Sequence, residues 1–208
     1  DVAAPPTSAL AGVAGLTPGH PLGAGLVAFL TRLAPGPGTF RYREAPAGET
    51  YARALVIGAA SPPARHVVHV DGNGWWAAVG PGPVPVGLPV AGAFNPFGPL
   101  AAAALGAAEI AKHVFRRLAA PGTDARFPLL ARPVTWDLWQ HGFDGPGDGP
   151  ALPGALELGR FALAGLGALG SAEVWALAHL EDARGTAELI DDDRLAGTNL
   201  ERVLTATG

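Results

Sequence analysis

The chain has 208 residues, enough for one large domain or two small ones. A formal net charge of -4 without any basic run argues against a nucleic-acid partner. Glycine, proline or charge interrupts every apolar segment well short of a membrane span, and the absence of cysteine excludes disulfides and cysteine-based zinc sites within these residues.

Hydrophobic residues make up 49% and charged residues 15%, a balance that predicts a well-buried core and an apolar interface. The first fifteen residues, DVAAPPTSALAGVAG, lack the charged start and continuous apolar stretch of a secretion signal, so the cytoplasm is the default location. Methionine is absent even at position 1, which is expected of an incomplete chain.

Residues 1–18 are rich in Pro, Gly and Ala and carry no firm signal. Over 19–34 the residues Leu22, Leu26, Phe29, Leu30 and Leu33 recur on one helical face, and Pro35-Gly36-Pro37-Gly38 ends the pattern. Residues 40–43 alternate apolar and basic, as an exposed strand does. ARALVIG over 52–58 reads as a buried strand closing on Gly58, and 66–71, HVVHVD, as a second strand ending in an acid. His66 and His69 fall on opposite faces of that strand and so make poor joint metal ligands. Asp71-Gly72-Asn73-Gly74 is a hairpin signal, with 75–79 the returning strand; of the adjacent Trp75 and Trp76, one is expected in the core and the other at an interface. A proline-glycine loop over 80–99 leads to a helix over 100–118, in which Glu109 with Lys112 or His113 reads as an ordinary surface pair. Residues 121–159 read as an irregular linker, with 135–139 as a short strand or turn carrying core aromatics.

The informative stretch follows. An apolar run over 161–164 leads into Gly165-Leu166-Gly167-Ala168-Leu169-Gly170, a GxGxxG. The first glycine permits a sharp turn, the second leaves room for a phosphate near the backbone, and the third lets the following helix pack on the strand. A helix beginning near Ala168 aims its unpaired N–H groups at an anion, and Val174, Leu177 and Leu180 give it an inner face. A second strand over 186–190 ends in Asp191, about 20 residues past the last glycine, where a carboxylate can accept ribose hydroxyls. The glycines alone fit a nucleotide or a dinucleotide.

These elements predict an α/β protein. A Rossmann-like nucleotide-binding unit over 160–208, mainly parallel sheet with flanking helices, is preceded by a smaller α/β region over 1–120 and the linker over 121–159. The first region also has a strand closing on a glycine and a later strand ending in an acid, so it reads as a possible degenerate copy of the second, without the GxGxxG and the crossover helix.

The acidic turn goes further than a generic dinucleotide fold. Residues 165–171 read GLGALGS, Asp191 and Asp193 form a D-x-D, and Asn199-Leu200-Glu201-Arg202 forms an N-L-x-R. This series resembles the ThiF/MoeB family, which includes the ubiquitin-activating enzymes, and it covers 160–204. Asn95-Pro96-Phe97-Gly98 with its Ala-rich helix is similar to an upstream region of some bacterial members. The R-Y-x-R-Q segment that often precedes the first strand in that family is not found before Phe161.

The resemblance implies ATP-dependent adenylation of a carboxylate, with Mg2+ as the companion ion, the substrate being the C-terminus of a small ubiquitin-like or sulfur-carrier protein; it also implies a homodimer, two such domains pairing across an apolar face. By that likeness, the backbone of Gly165, Gly167, Ala168, Leu169 and Gly170 cradles phosphates. Asp191 holds the ribose, Asp193 is counted with it among the nucleotide-binding residues, and Asn199 and Arg202 face the triphosphate, with Arg202 offsetting charge as pyrophosphate leaves. The family's next lysine and its magnesium-binding aspartate are expected beyond Gly208, and no metal ligand is assigned within these residues. Two other readings stand beside it: a catalytically inert member that serves as a nucleotide- or partner-binding scaffold, and an NAD-dependent oxidoreductase.

Overall fold

The computed structural model describes residues 2–3, 21–33, 39–43, 50–58, 60–85, 94–118, 127–145, 148–180 and 182–193. In chain order these form β1 (Val2–Ala3), α1 (Leu22–Leu33), β2 (Tyr42–Arg43), β3 (Ala54–Ile57), β4 (Val67–Asn73), β5 (Trp76–Gly80), α2 (Phe97–Leu118), β6 (Val134–Asp137), β7 (Gly142–Phe143), β8 (Leu156–Ala164), α3 (Ala168–Leu177) and β9 (Ala183–Ile190). The fold is mixed α/β. The chain divides into two compact units: Asp1–Glu49 with Arg160–His179 and Thr186–Gly208, and Thr50–Gly159 with Leu180–Gly185.

The second unit is built on a five-stranded sheet of order β3-β4-β5-β6-β7. β3 and β4 run parallel, and every other neighbour in this sheet is antiparallel. The 121–159 stretch therefore supplies two strands, β6 and β7, to the sheet. The hairpin signal acts slightly later than expected. β4 continues through Asn73, which pairs with Trp76, so the loop is Gly74-Trp75 and not 71–74. Gly74 has φ +58°, the left-handed conformation that a tight two-residue connection requires and glycine adopts without steric cost.

Trp76 is buried and Trp75 is half-buried, in line with opposite orientations for the pair. Trp75 stacks on Phe97 with ring centroids 5.3 Å apart, and its indole N–H donates to the Pro150 carbonyl at 2.7 Å. Asp137, at the end of β6, is fully buried; its Oδ1 accepts the Trp139 and Gln140 N–H groups at 3.0 Å each and so shapes the turn toward β7.

The core lies between this sheet and α2. Val68, Val70, Ala77, Val79 and Ala102 are buried together, and Leu105, Ile110, Leu130 and Leu138 pack around them. Each valine contributes about 1.5–3 kcal/mol of burial relative to exposure. The helix is set by its entry. The Asn95 side chain accepts the Phe97 N–H at 3.0 Å, and Pro96, whose carbonyl accepts the Leu100 N–H at 2.9 Å, stands just before the helix, where a missing N–H is harmless. Gly98 then passes against the hairpin: its N–H donates to the Gly74 carbonyl at 2.8 Å, and a Cβ there would lie 2.3 Å from the Trp76 carbonyl oxygen. The Asn-Pro-Phe-Gly segment thus has a structural reason for each residue.

In the first unit, β1 pairs parallel with β2. On α1, Leu22, Leu26, Phe29 and Leu30 are half-buried while Ala24, Ala28 and Thr31 are exposed, which matches the expected face. Gly23 lets the Tyr42 ring come close; a Cβ at that glycine would lie 2.1 Å from the ring.

β8 and β9 form a two-stranded sheet. Leu156 N donates to Asp182 O at 3.3 Å and Gly165 N to Ile190 O at 2.8 Å, so residue numbers rise together along both strands and the pair is parallel. The mainly parallel sheet expected after residue 160 is represented, among the described residues, by this single pair. No helix among the described residues is long and apolar enough to cross a membrane.

Gly98→Ala places a methyl group against backbone that has no rotamer to yield, so a loss of about 1–3 kcal/mol is expected. Gly82→Ala, where an added Cβ meets nothing within 4 Å, is expected to stay within about 0.5 kcal/mol of the parent. Urea unfolding of the two variants checks the contrast.

Candidate functional site

The glycine turn connects β8 to α3 and comes to lie beside the end of β9. Gly165 has φ +90°, a conformation that L side chains rarely adopt. Gly170 faces the start of the turn, and a Cβ there would lie 1.9 Å from the Gly165 carbonyl oxygen. Gly167 differs from both: a Cβ at that position meets no protein atom within 4 Å. The first and third glycines are therefore required by the turn itself, and the second is not. Open space beside Gly167 is the property that a close-approaching phosphate needs.

Gly167 also sits at the N-cap of α3, with no side-chain hydrogen bond to close it. Helix geometry leaves the first N–H groups without partners inside the helix, and the positive end of the helix dipole lies there. Gly167, Ala168 and Leu169 are exposed, with Leu169 at 85%. Ser171 is buried and its hydroxyl donates to the Ala168 carbonyl at 3.1 Å, which ties the first helical turn to itself.

Asp191 is brought to the turn by the parallel pairing of β8 and β9. Its Oδ2 accepts the Leu166 N–H in a short hydrogen bond, and its Oδ1 accepts the Asp193 N–H at 2.8 Å. These two backbone donors, Asp193 first and Leu166 second, hold the carboxyl below the ordinary aspartate range. Gly165, Gly167, Ala168, Leu169, Gly170, Asp191 and Asp193 thus form one cluster. Asn199 and Arg202 lie outside the described residues. Leu166, whose N–H links the loop to the acid, was not singled out by sequence. No side-chain pattern marks it, because its part is played by the backbone.

A second group of polar residues lies in the other unit, where sequence reading went astray. Glu109 is not on the surface but 6% exposed. It falls in line with the buried Ala102 and Gly106 on α2, a stripe that helical spacing could have revealed. A buried carboxylate needs partners; Glu109 has Lys112, with which it makes a short ion pair, and the Leu130 N–H, which donates to Oε2 at 3.2 Å. The rings of His66 and His113 lie 4.5 Å apart by centroid. His69 is buried in β4 while His66 is exposed, so the two do not share a face. Among the described residues, no group of three or more His, Asp or Glu is placed to hold a metal ion, and Mg2+ is assigned to none of them.

No family model matches the chain. It is similar to an uncharacterized protein, y4jF, of Sinorhizobium fredii: 30% of residues are identical over 152 positions, which cover 73% of this chain and 28% of that protein. The chain spans little more than a quarter of the length of this curated relative.

The hold of Asp191 on the loop carries a pH signature. Its folded pKa is depressed, so the contribution is fully present above the unfolded aspartate value and is lost as pH falls through the lower folded value. The protection of the Leu166 amide, its exchange rate relative to an unprotected amide at the same pH, is expected to hold through neutral pH and to fall only below about pH 4. In Asp191→Ala that protection is expected to be lost at every pH. Exchange measured by NMR in both proteins checks this.

Proposed function

We propose that the β8–turn–α3–β9 segment is the Rossmann-like front of an ATP site, and that the protein adenylates a carboxylate in the manner of the ThiF/MoeB family. The observation that carries the reading is the junction of Asp191 with the glycine turn. A strand, a tight turn made possible by Gly165 and Gly170, an open Gly167, an uncapped helix start and an acid on the neighbouring parallel strand meet in one place. Such an arrangement suits an anionic ligand whose polyphosphate lies at the helix start and whose ribose lies at the acid.

In this reading ATP is a substrate. The N–H groups of Ala168, Leu169 and Gly170 take phosphate oxygens, and Asp191 receives ribose hydroxyls on the lone pairs left after its two backbone bonds. Asn199 and Arg202 belong to the site by the family likeness. An acceptor carboxylate oxygen bonds to the α-phosphorus while the bond to pyrophosphate breaks, and Arg202 offsets the charge that builds on the leaving group. This chemistry asks the protein for positioning and charge stabilisation more than for covalent help. The acceptor is the C-terminal carboxylate of a small ubiquitin-like or sulfur-carrier protein.

The engagement of both Asp191 oxygens with backbone N–H groups favours a second reading, an inert member in which the loop is locked as a nucleotide- or partner-binding scaffold. The two readings separate on turnover. ATP–pyrophosphate exchange is expected from the intact protein with a small ubiquitin-like acceptor. ATP binding without exchange for any such acceptor would leave the scaffold. Arg202→Ala is expected to abolish exchange. Gly167→Ala is expected to weaken ATP about tenfold while leaving stability within about 0.5 kcal/mol of the parent, since its Cβ meets no protein atom within 4 Å and takes the space a phosphate would use. Isothermal titration with ATP and urea unfolding of the same variant check the pair of outcomes.

A further inference from the structure

A cleft of about 250 Å³ opens in the second unit, between the start of β4 and the second half of α2. Arg65, His66 and His113 line it, and Val67, Leu129 and Leu130 provide apolar surface. Its volume falls below the roughly 300–1,000 Å³ of sites for drug-sized ligands, so it is too small for a nucleotide and suits a compact molecule.

The charge around it is lopsided. Arg53 donates from Nη2 to the His113 carbonyl at 3.2 Å, and its buried Nε has no hydrogen-bond partner. The one carboxylate among the described lining residues, Glu109, is already committed on both oxygens, to Lys112 and to the Leu130 N–H. No ion pair joins Arg65 to a carboxylate among the described residues. Here a guanidinium and two adjoining imidazoles face a cavity whose one carboxylate among the described residues is already engaged, an arrangement that suits an oxyanion.

We infer that this cleft binds a small organic anion, with a phosphate or carboxylate head at Arg65, His66 and His113 and an apolar body against Val67, Leu129 and Leu130. His113 in the free protein is held below the ordinary imidazole value by burial first, then by the charges of His66, Arg53 and Arg116, against the opposing pull of Glu109. An anion beside the ring reverses part of that field. Binding therefore raises the imidazole pKa, takes up protons and tightens as pH falls through the histidine range.

The experiment is a titration of the full chain with phenyl phosphate, benzoate and inorganic phosphate, read from the assigned ring resonances of His66 and His113 and by calorimetry in two buffers of different ionisation enthalpy. Both rings are expected to shift, with proton uptake, and phenyl phosphate is expected to bind about tenfold more tightly than inorganic phosphate because of its ring. Benzoate binding as well as phenyl phosphate assigns a carboxylate head, and weaker binding assigns a phosphate head; either supports the site. Arg65 is exposed, so Arg65→Ala should fold, and it is expected to weaken phenyl phosphate about tenfold. His66→Gln, with its ring removed, tests the same cleft from a second side. No shift of either ring with any of the three anions at millimolar concentration would overturn the proposal. So would affinity unchanged in both variants, or equal affinity for inorganic phosphate and phenyl phosphate.

Discussion

Helix α2 lies so close to the β4–β5 hairpin that backbone meets backbone. A Cβ at Gly72 would come within 2.6 Å of the Gly98 carbonyl oxygen, and one at Gly98 within 2.3 Å of that of Trp76. With no side chains to hold the two apart, the first turn of the helix is fixed on the hairpin by the bond from Gly98 N to Gly74 O. The line of the helix then follows. Ala102 and Gly106 continue the close contact along β4, and Glu109 and His113 come next on the same face. What would otherwise be a surface carboxylate and a surface histidine arrive at the start of β4, one buried and the other lining a cleft. The position of the polar group at one end of the helix depends on glycines at the other.

The glycine turn of the other unit obeys a different logic. Its glycines answer the needs of a loop that must reverse sharply, while α2 uses glycine to let a helix approach a sheet. Gly165 and Gly170 serve the loop's own geometry, one through a positive φ and the other through its approach to a carbonyl. Asp191 then fastens the loop from the neighbouring strand through the Leu166 N–H. A carboxylate that shapes a loop can serve a ligand with the lone pairs that remain. In the proposed reading the shaping role and the ribose-binding role fall on one residue, which is why its two backbone bonds matter to both functional readings.

Much of this organisation was legible in the sequence where one period or one turn residue dominates. The apolar face of α1, the Ala-rich α2, and the order of strand, glycine turn, helix, strand and acid after residue 160 all follow from local pattern. Gly165, Gly170 and Asp191 were readable because their demands are local and strong. The sheet around β5 was less so. β6 is brought in from beyond α2, and nothing in Val134-Thr135-Trp136-Asp137 states which edge it joins. Glu109 was misread because its charge outweighed its place on the Ala102–Gly106 stripe; burial here is decided by a long-range partner, the Leu130 N–H, which no helical spacing reveals. The pairing of His66 with His113 is likewise a product of tertiary structure, as the two rings come from different elements.

The glycine contacts beneath α2 differ in how the chain can accommodate change. When two side chains collide, either can be shortened, and a second substitution repairs the first. Gly106 is of that kind, since a Cβ there meets the side chains of Val70 and Leu55. Gly72 and Gly98 are not, because the atoms they would strike are carbonyl and backbone atoms present in every residue. No exchange of a neighbour can make room; only displacement of the whole helix can. Sequence drift along this interface is therefore open at Gly106, through compensating partners, and closed at the hairpin end, where the spacing is fixed by the main chain alone.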